Sequence, residues 1–467
     1  MAGLHRGVAP WACLAAVAAL SALGCAGYAG SVKEMRTELL AGNKDKALGM
    51  ANSALDVKEA DDEPEDVSGD NALLLVERAT IKQGLSRYGS SAVDFQTADK
   101  HLELLDLKND TAGNIGKFLF SDDTTVYKAP AYEKLLLSTL NMLNYLSLGD
   151  LENARVEARR LDVMRKYLAD EKSEQAAVLG LGGYLAGFAF EMSGRAEQAL
   201  GFYDQALADG GYASLTEPIR RLAACTSFRT ERLRQLVGEG GEAAPACDPN
   251  PRSKGTVLVV VGTGLAPHKE AMRIPIGAAL VLAGAVTFGP SLGMSDRNKA
   301  GELAAKGLLT WINFPVMERT RDRFTYAHVG LDGRPAPVEE GMDVTERVLA
   351  AWNSIKGTLM VAAITRMITR AIAAEVVQRG TKAGGAGGAL SLLAGLAVEG
   401  TMMAADTPDT RSWVTLPSKV FVSRMDVTPG RHIVSVVLEG PGGRQVIEKT
   451  VDVKGGGFAV VSVASMR

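Results

Sequence analysis

Three kinds of side chain in this sequence admit chemistry by type and spacing. The chain has four cysteines. Cys25 closes the run Ser21-Ala22-Leu23-Gly24-Cys25 at the end of a short apolar segment, and its thiol stands where small residues precede it. Cys225 and Cys247 form an even pair with no metal-like spacing to histidine, so they read either as a disulfide or as two unpaired thiols. A bridge closing that loop contributes on the order of 3 kcal/mol. Arg155, Arg159 and Arg160 cluster around one helix and alternate with Glu152 and Glu157. They suit either a groove for an acidic or carboxylate-ended peptide or a solvated face laced by i,i+4 pairs. His101, His268, His328 and His432 are scattered, with no H-E-x-x-H run and no G-x-S-x-G elbow, which speaks against a cell-wall hydrolase.

The residues around Cys25 define an exported leader. His5 and Arg6 make a short basic region, Trp11 to Leu23 is apolar, and Ala22-Leu23-Gly24 supplies small residues at the cut. The apolar run is shorter than the roughly 20 residues of a spanning helix. The arrangement resembles the lipobox of bacterial lipoproteins, which implies removal of residues 1–24 and lipidation of Cys25. Each buried CH₂ contributes about 0.8 kcal/mol, so a multi-chain anchor holds firmly. Ala26 rather than Asp follows the cysteine, which by the sorting rule of such lipoproteins implies the outer membrane.

The chain has 467 residues, too many for one ordinary core. A net charge of −3, with 22% charged and 46% hydrophobic residues, is a composition without the basic patch of a nucleic-acid binder.

Residues 25–237 must supply the scaffold for the arginine cluster, and they read as helices joined by glycine turns. The clearest unit runs from Tyr184 to Asp209 about Gly194, with Gly187 and Phe190 before the turn and Ala199, Phe202, Tyr203, Ala206 and Leu207 after it. Small residues where helices cross and aromatics between them are the tetratricopeptide (TPR) pattern. A second unit turns at Gly149, with Tyr145 before it and Ala154, Ala158 and Leu161 after; a third turns at Gly42; a degenerate fourth turns near Gly84 and Gly89. The spacing of the turns is irregular, and an insertion around Lys108 to Pro130 breaks the register. Such repeats form a surface that binds a protein segment. Asp56 to Asp70 reads as a flexible acidic loop, and Asp122 to Tyr132 as a packed loop or a wall of the groove.

Residues 238–254 form a linker. Residues 255–408 read as a mixed α/β domain that opens on a buried strand, Thr256 to Val261. The glycine turn Gly262-Thr263-Gly264 that follows lacks the third glycine of a dinucleotide fingerprint, and Lys269 is not followed by Ser or Thr, so nucleotide binding is not expected. Ile274 to Met294 is uncharged over 21 residues but broken by Pro and Gly, and reads as core strands or a buried helix rather than a span. Phe314-Pro315-Val316 and Thr325 to Leu331 read as strands. Val344 to Arg379 is a long helix carrying Arg366 and Arg370, which argue for one wet or paired side. Its expected partner is a Gly-rich apolar segment, Ala383 to Val398, forming a helical hairpin through Gly387, Ser391 and Gly395.

From residue 409 the period changes to two. Lys419–Arg424, His432–Leu438, Val446–Val453 and Phe458–Ala464 read as strands of a small antiparallel sheet. Before them lie Arg411 and Trp413, a partner anchor or a packed domain corner.

Together Tyr132-Glu133-Lys134, Leu143-Asn144-Tyr145-Leu146, Ala154 to Arg160, Gly264-Leu265-Ala266-Pro267, Arg366 to Arg370 and Asp409-Thr410-Arg411-Ser412-Trp413 resemble an uncharacterised family of bacterial TPR-containing lipoproteins. The resemblance covers most of the chain after residue 25. Members often neighbour lipoproteins similar to the curli-secretion pore and to peptidoglycan-synthase activators, which implies a role in envelope assembly by association. The expectation is an α+β multidomain, lipid-anchored scaffold with no cofactor. Tyr145, Arg155, Arg159, Arg160, Arg411 and Trp413 are its candidate contacts to an envelope protein. The alternatives are an accessory subunit of an envelope pore or secretion channel, and a hydrolase.

Overall fold

The computed structural model describes residues 28–59, 61–104, 127–170, 179–238, 247–284, 291–306, 309–382 and 408–467. Cys25, the leader and the Gly-rich segment 383–398 lie outside the described residues.

The first half folds as four helical hairpins: α1 Tyr28–Ala41 with α2 Lys44–Ala54, α3 Asn71–Gly84 with α4 Tyr88–His101, α5 Ala131–Leu148 with α6 Leu151–Asp170, and α7 Leu179–Met192 with α8 Ala196–Asp209. Gly149 and Gly194 end their helices in the left-handed region, at φ 73° and 69°, which glycine adopts without a Cβ penalty. The second hairpin turns between Gly84 and Gly89, near the expected place, but on neither glycine. Its left-handed residue is Ser86, at φ 62°, between Gly84 and Gly89. Close approach explains Gly187, where a Cβ would lie 2.3 Å from the Tyr203 ring. Arg78 and Lys82 on α3 close on Asp94 of α4 at 2.6 and 2.9 Å, in the interior of the second hairpin. The acidic segment 56–70 is tied down at two points: Arg78 donates to the Asp62 carbonyl, and Asp70 pairs with Arg411. Short strands β1 Glu103–Leu104 and β2 Lys128–Ala129 pair in parallel, and short helices α9 Thr216–Ala223 and α10 Glu231–Val237 close the helical region. Cys225 and Cys247 are disulfide-bonded.

The second half supplies β3 Gly255–Thr263, β4 His268–Pro275, α11 Ile276–Gly284, α12 Met294–Ala305, β5 Trp311–Glu318, β6 Tyr326–Leu331, β7 Arg334–Ala336, β8 Glu339–Asp343 and α13 Val344–Lys382. After them come β9 Lys419–Val427, β10 Gly430–Gly440, β11 Gly443–Val453 and β12 Phe458–Ala464. The four C-terminal strands do not make a sheet of their own. One sheet has the order β12-β3-β9-β8 and the other β11-β10-β6-β7, so strands on either side of residue 408 hydrogen-bond to each other. The physical reason is β3. Its residues are buried on both faces, and such a strand needs neighbours at both edges and a layer on each side. Val257, Val259 and Val261 point between the sheets, against Phe421, Val434, Val436 and Leu438. Leu258 and Val260 point the other way, into the helical core with Leu185, Leu416 and Val420.

A satellite core lies beside these layers. The β4–β5 ribbon, α11, α12 and the middle of α13 bury Ile274, Ala279, Leu303, Phe314, Met360, Ile364 and Met367 together. Within α13, Val344–Ile372 is long and apolar enough to cross a membrane by length and composition, yet 61% of its most apolar window is buried inside the molecule.

Candidate functional site

The inner face of the hairpins, towards the sheets, is occupied by the chain's own residues 409–416 and by the sheet they lead into. Three acidic side chains, each buried among apolar neighbours, hold the filling in place.

Glu77 follows the apolar run Leu73 to Val76 of α3 and is fully buried. Its carboxylate accepts the Tyr28 hydroxyl and the Val414 amide at 2.8 Å and the Thr415 amide at 3.0 Å. Burial pushes its pKa up to about 7, against the opposing effect of these donors. The Tyr28 hydroxyl also lies 2.8 Å from the Ser412 carbonyl. It therefore donates to an ionised Glu77, or donates to Ser412 and accepts from a protonated one. Glu133 on α5 has the same role in the next hairpin. It accepts the Trp413 amide at 3.1 Å and the Tyr127 and Tyr132 hydroxyls at 2.8 and 3.3 Å. Its pKa is likewise raised, first by burial.

Glu191, near the end of α7, is anchored differently. Arg424 of β9 and Arg221 of α9 each donate to it at 2.7 Å, and the Tyr203 hydroxyl donates as well. Burial raises its pKa, but the charges of Arg424 and then Arg221 outweigh this and leave it below the ordinary carboxylate value. Arg424 lies over the Phe188 ring at 5.2 Å. The disulfide is close by: Arg221 also donates to the Pro249 carbonyl, and Asn250 donates to the Glu191 carbonyl.

Arg411 and Trp413 are interior residues of the filling, 7% and 2% exposed. Arg411 grips Asp409 through Nε and Nη2, both at 2.9 Å, reaches Asp70 at 2.6 Å and lies over the Tyr127 ring. Trp413 donates its indole N–H to Thr80 at 3.0 Å and packs on Phe95. Tyr145 is also buried, accepting from Gln96 at 2.7 Å. After the filling, a void of about 30 Å³ remains between helices and sheet, room for a water rather than a ligand. The filling excludes a peptide from this face because its donors and pockets are already taken.

The three arginines of α6 lie apart from that seam. Arg159 is exposed, Arg155 is half-buried, and Arg160 pairs with Glu157 at 3.0 Å. Buried Glu157, pushed by burial to about 7, accepts from Asn141. Arg159 shares its stripe with Val163 and Tyr167, four residues apart and 68% and 41% exposed. Leu148, 52% exposed, precedes α6 in the same hairpin.

The glycine turn after β3 is also closed within the chain. Gly264 adopts φ 64°, and the Asp322 carboxylate stands 2.1 Å from where its Cβ would be and accepts the Leu265 amide at 3.0 Å. A carboxylate thus fills the place a phosphate would need. His268, His328 and His432 each face a different carboxylate, Glu270, Glu439 and Asp332, in separate regions of the fold. Among the described residues no group of three His, Cys, Asp or Glu side chains is placed to hold a metal ion.

Comparison of the chain with protein-family models, curated proteins and solved structures returned no match. Glu77, Glu191 and Arg424 escaped the sequence reading as site residues, and Glu133 entered it only within the stretch Tyr132-Glu133-Lys134. A lone acid inside an apolar helical run, as in Leu75-Val76-Glu77 or Ala189-Phe190-Glu191-Met192, was the available signal.

Proposed function

We propose that this chain is a lipid-anchored protein of the outer membrane that serves as a non-enzymatic periplasmic scaffold, with TPR-like hairpins bound to another envelope protein. The crossing of Gly187 under Tyr203 supports the TPR-like reading. The observation that carries the scaffold reading is the division of labour between two helical faces. The inner face commits Glu77 and Glu133 to residues 413–415 and Glu191 to Arg424 of the sheet. The outer stripe of α6 keeps Arg159, Val163 and Tyr167 at the surface. An arginine beside exposed aliphatic and aromatic side chains is the composition of interface hot spots. The partner segment that fits it is amphipathic, with acidic residues beside an apolar edge.

The test is a photo-crosslinking residue at position 163 in cells, beside one at buried position 413. A crosslink to one envelope protein from position 163, lost on Arg159→Glu and absent from position 413, is the expected result. Crosslinking from neither position, with purified protein turning over muropeptides, would overturn the scaffold. Lipidation is checked separately by the intact mass of membrane-extracted protein, which should carry the three-chain increment on Cys25.

A further inference from the structure

The satellite core exposes an apolar surface. Residues 274–294 contain no charge. Among their described residues, those of α11 bury Ile276, Ala279 and Ala283 and turn Ala278 and Val281 outward, Val281 at 75% exposure. Met294, at the start of α12, is 73% exposed. Trp311 pairs across the ribbon with Pro275, at the end from which α11 departs, and is 43% exposed. Met272, further back on the same ribbon, is 47% exposed. Outward aliphatic side chains with a tryptophan at their edge are the groups that an interfacial contact presents to lipid.

The position of this surface in the chain selects lipid over protein. Tyr28 and Lys269 both bind the 411–412 segment, Tyr28 through the Ser412 carbonyl and Lys269 through the Arg411 carbonyl. The start of α1 and the root of the β4–β5 ribbon therefore spring from one seam. Cys25 is three residues from Tyr28, a reach of at most about 10 Å. From Lys269 the ribbon runs six residues to Pro275, about 20 Å of strand. A chain held at Cys25 by lipid can pivot on so short a tether but cannot move away. The ribbon end and α11 then stay within reach of the bilayer.

We propose that α11 and the Pro275–Trp311 end of the β4–β5 ribbon form a second, peripheral contact with the bilayer surface, orienting the scaffold on its membrane. This rests on the lipid-anchor reading for its geometry. The test supplies the tether independently. The full mature chain from residue 26, carrying an N-terminal hexahistidine, is held on phosphatidylethanolamine–phosphatidylglycerol vesicles by a nickel-chelating lipid. Tryptophan emission is then read with and without acyl-brominated lipid. Trp352 and Trp413 are buried, so Trp311 is the tryptophan placed to respond. Quenching that disappears in Trp311→Phe is the expected result. Without the tether, Val281→Glu should weaken vesicle affinity about tenfold, the equivalent of one buried aliphatic side chain. The exposure of Val281 makes that variant compatible with folding, and Met294→Glu serves as the second.

Absence of quenching on the tethered chain would overturn the proposal. So would a Trp311 shift that follows protein concentration without vesicles, since a second copy would then cover the face. Failure of the anchor reading shows separately, as a missing mass increment on Cys25.

Discussion

At the Glu77 and Glu133 end of the seam, buried carboxylates meet tyrosine hydroxyls and backbone amides, whereas at the Glu191 end the carboxylate meets two guanidiniums. The residue type and the task are the same at both ends. The surroundings give the two acids opposite responses to protons. Burial without a directly bonded cation favours the neutral form of Glu77; paired guanidiniums favour the charged form of Glu191. The Glu191 end is also stapled by Cys225–Cys247, while at the other end Tyr28 and residues 412–415 are held by hydrogen bonds and packing. One seam is thus braced by charge and covalency at one end and by neutral donors at the other.

The contrast between the ends is most vulnerable at Arg424. Arg424→Ala leaves Glu191 buried with one guanidinium removed, and should destabilise by about 3–5 kcal/mol in urea unfolding. Glu77→Ala should cost less at pH 5 than Arg424→Ala, since it leaves no buried charge behind.

Protons separate the two ends further. Glu77 titrates near 4.5 when unfolded and near 7 when folded. Its contribution is full below the unfolded value and is lost as pH rises through the folded one, about 3 kcal/mol in all. Glu191 runs the other way: its contribution is present above the unfolded value and is lost as pH falls through its lowered folded value. Urea midpoints across pH should therefore fall toward neutral pH. Glu77→Gln should flatten that limb without abolishing it, because Glu157 titrates in the same sense. Glu191→Gln should leave that limb in place and flatten the acid one without abolishing it, because Asp162 and Glu302 titrate in the same sense as Glu191.

Reduction of the disulfide, or Cys225→Ser with Cys247→Ser, should cost about 3 kcal/mol. Protection of amides in α9 and residues 247–251 should drop before that of α3, as read by hydrogen exchange. Gly187→Ala should cost about 1–3 kcal/mol through its clash with Tyr203, and should perturb the Glu191 end rather than the Glu77 end. Arg159→Glu, on the outer stripe, should change stability by less than about 0.5 kcal/mol while abolishing the crosslink from position 163.

The helical half was legible because its signals are local. Small residues at crossings and glycines after helices follow from backbone sterics, so the hairpins turning at Gly149 and Gly194 appear where their spacing puts them. The second hairpin also turns near its two glycines, but its left-handed residue is a serine, with Gly84 and Gly89 in the helices on either side. The C-terminal strands were legible from their period of two. Their partners were not, since alternation names the buried face of a strand and leaves its neighbours open. Arg411 and Trp413 stayed open between a partner anchor and a packed domain corner, because arginine and tryptophan serve at both. Only their seating under Asp70, Tyr127 and Thr80 assigns them to the interior.

Residue order alone settled the local periods, the turns, the apolar runs and a cysteine pair that can close one loop. Three outcomes waited for the packed molecule: that β3 is buried on both faces, that residues 409–416 fill the inner helical face, and which buried acids keep a proton. Those outcomes depend on groups as much as 384 residues apart, as in Tyr28 and Ser412. Desolvation and pairing at that range are set by the packed neighbours, and no local window of sequence contains them.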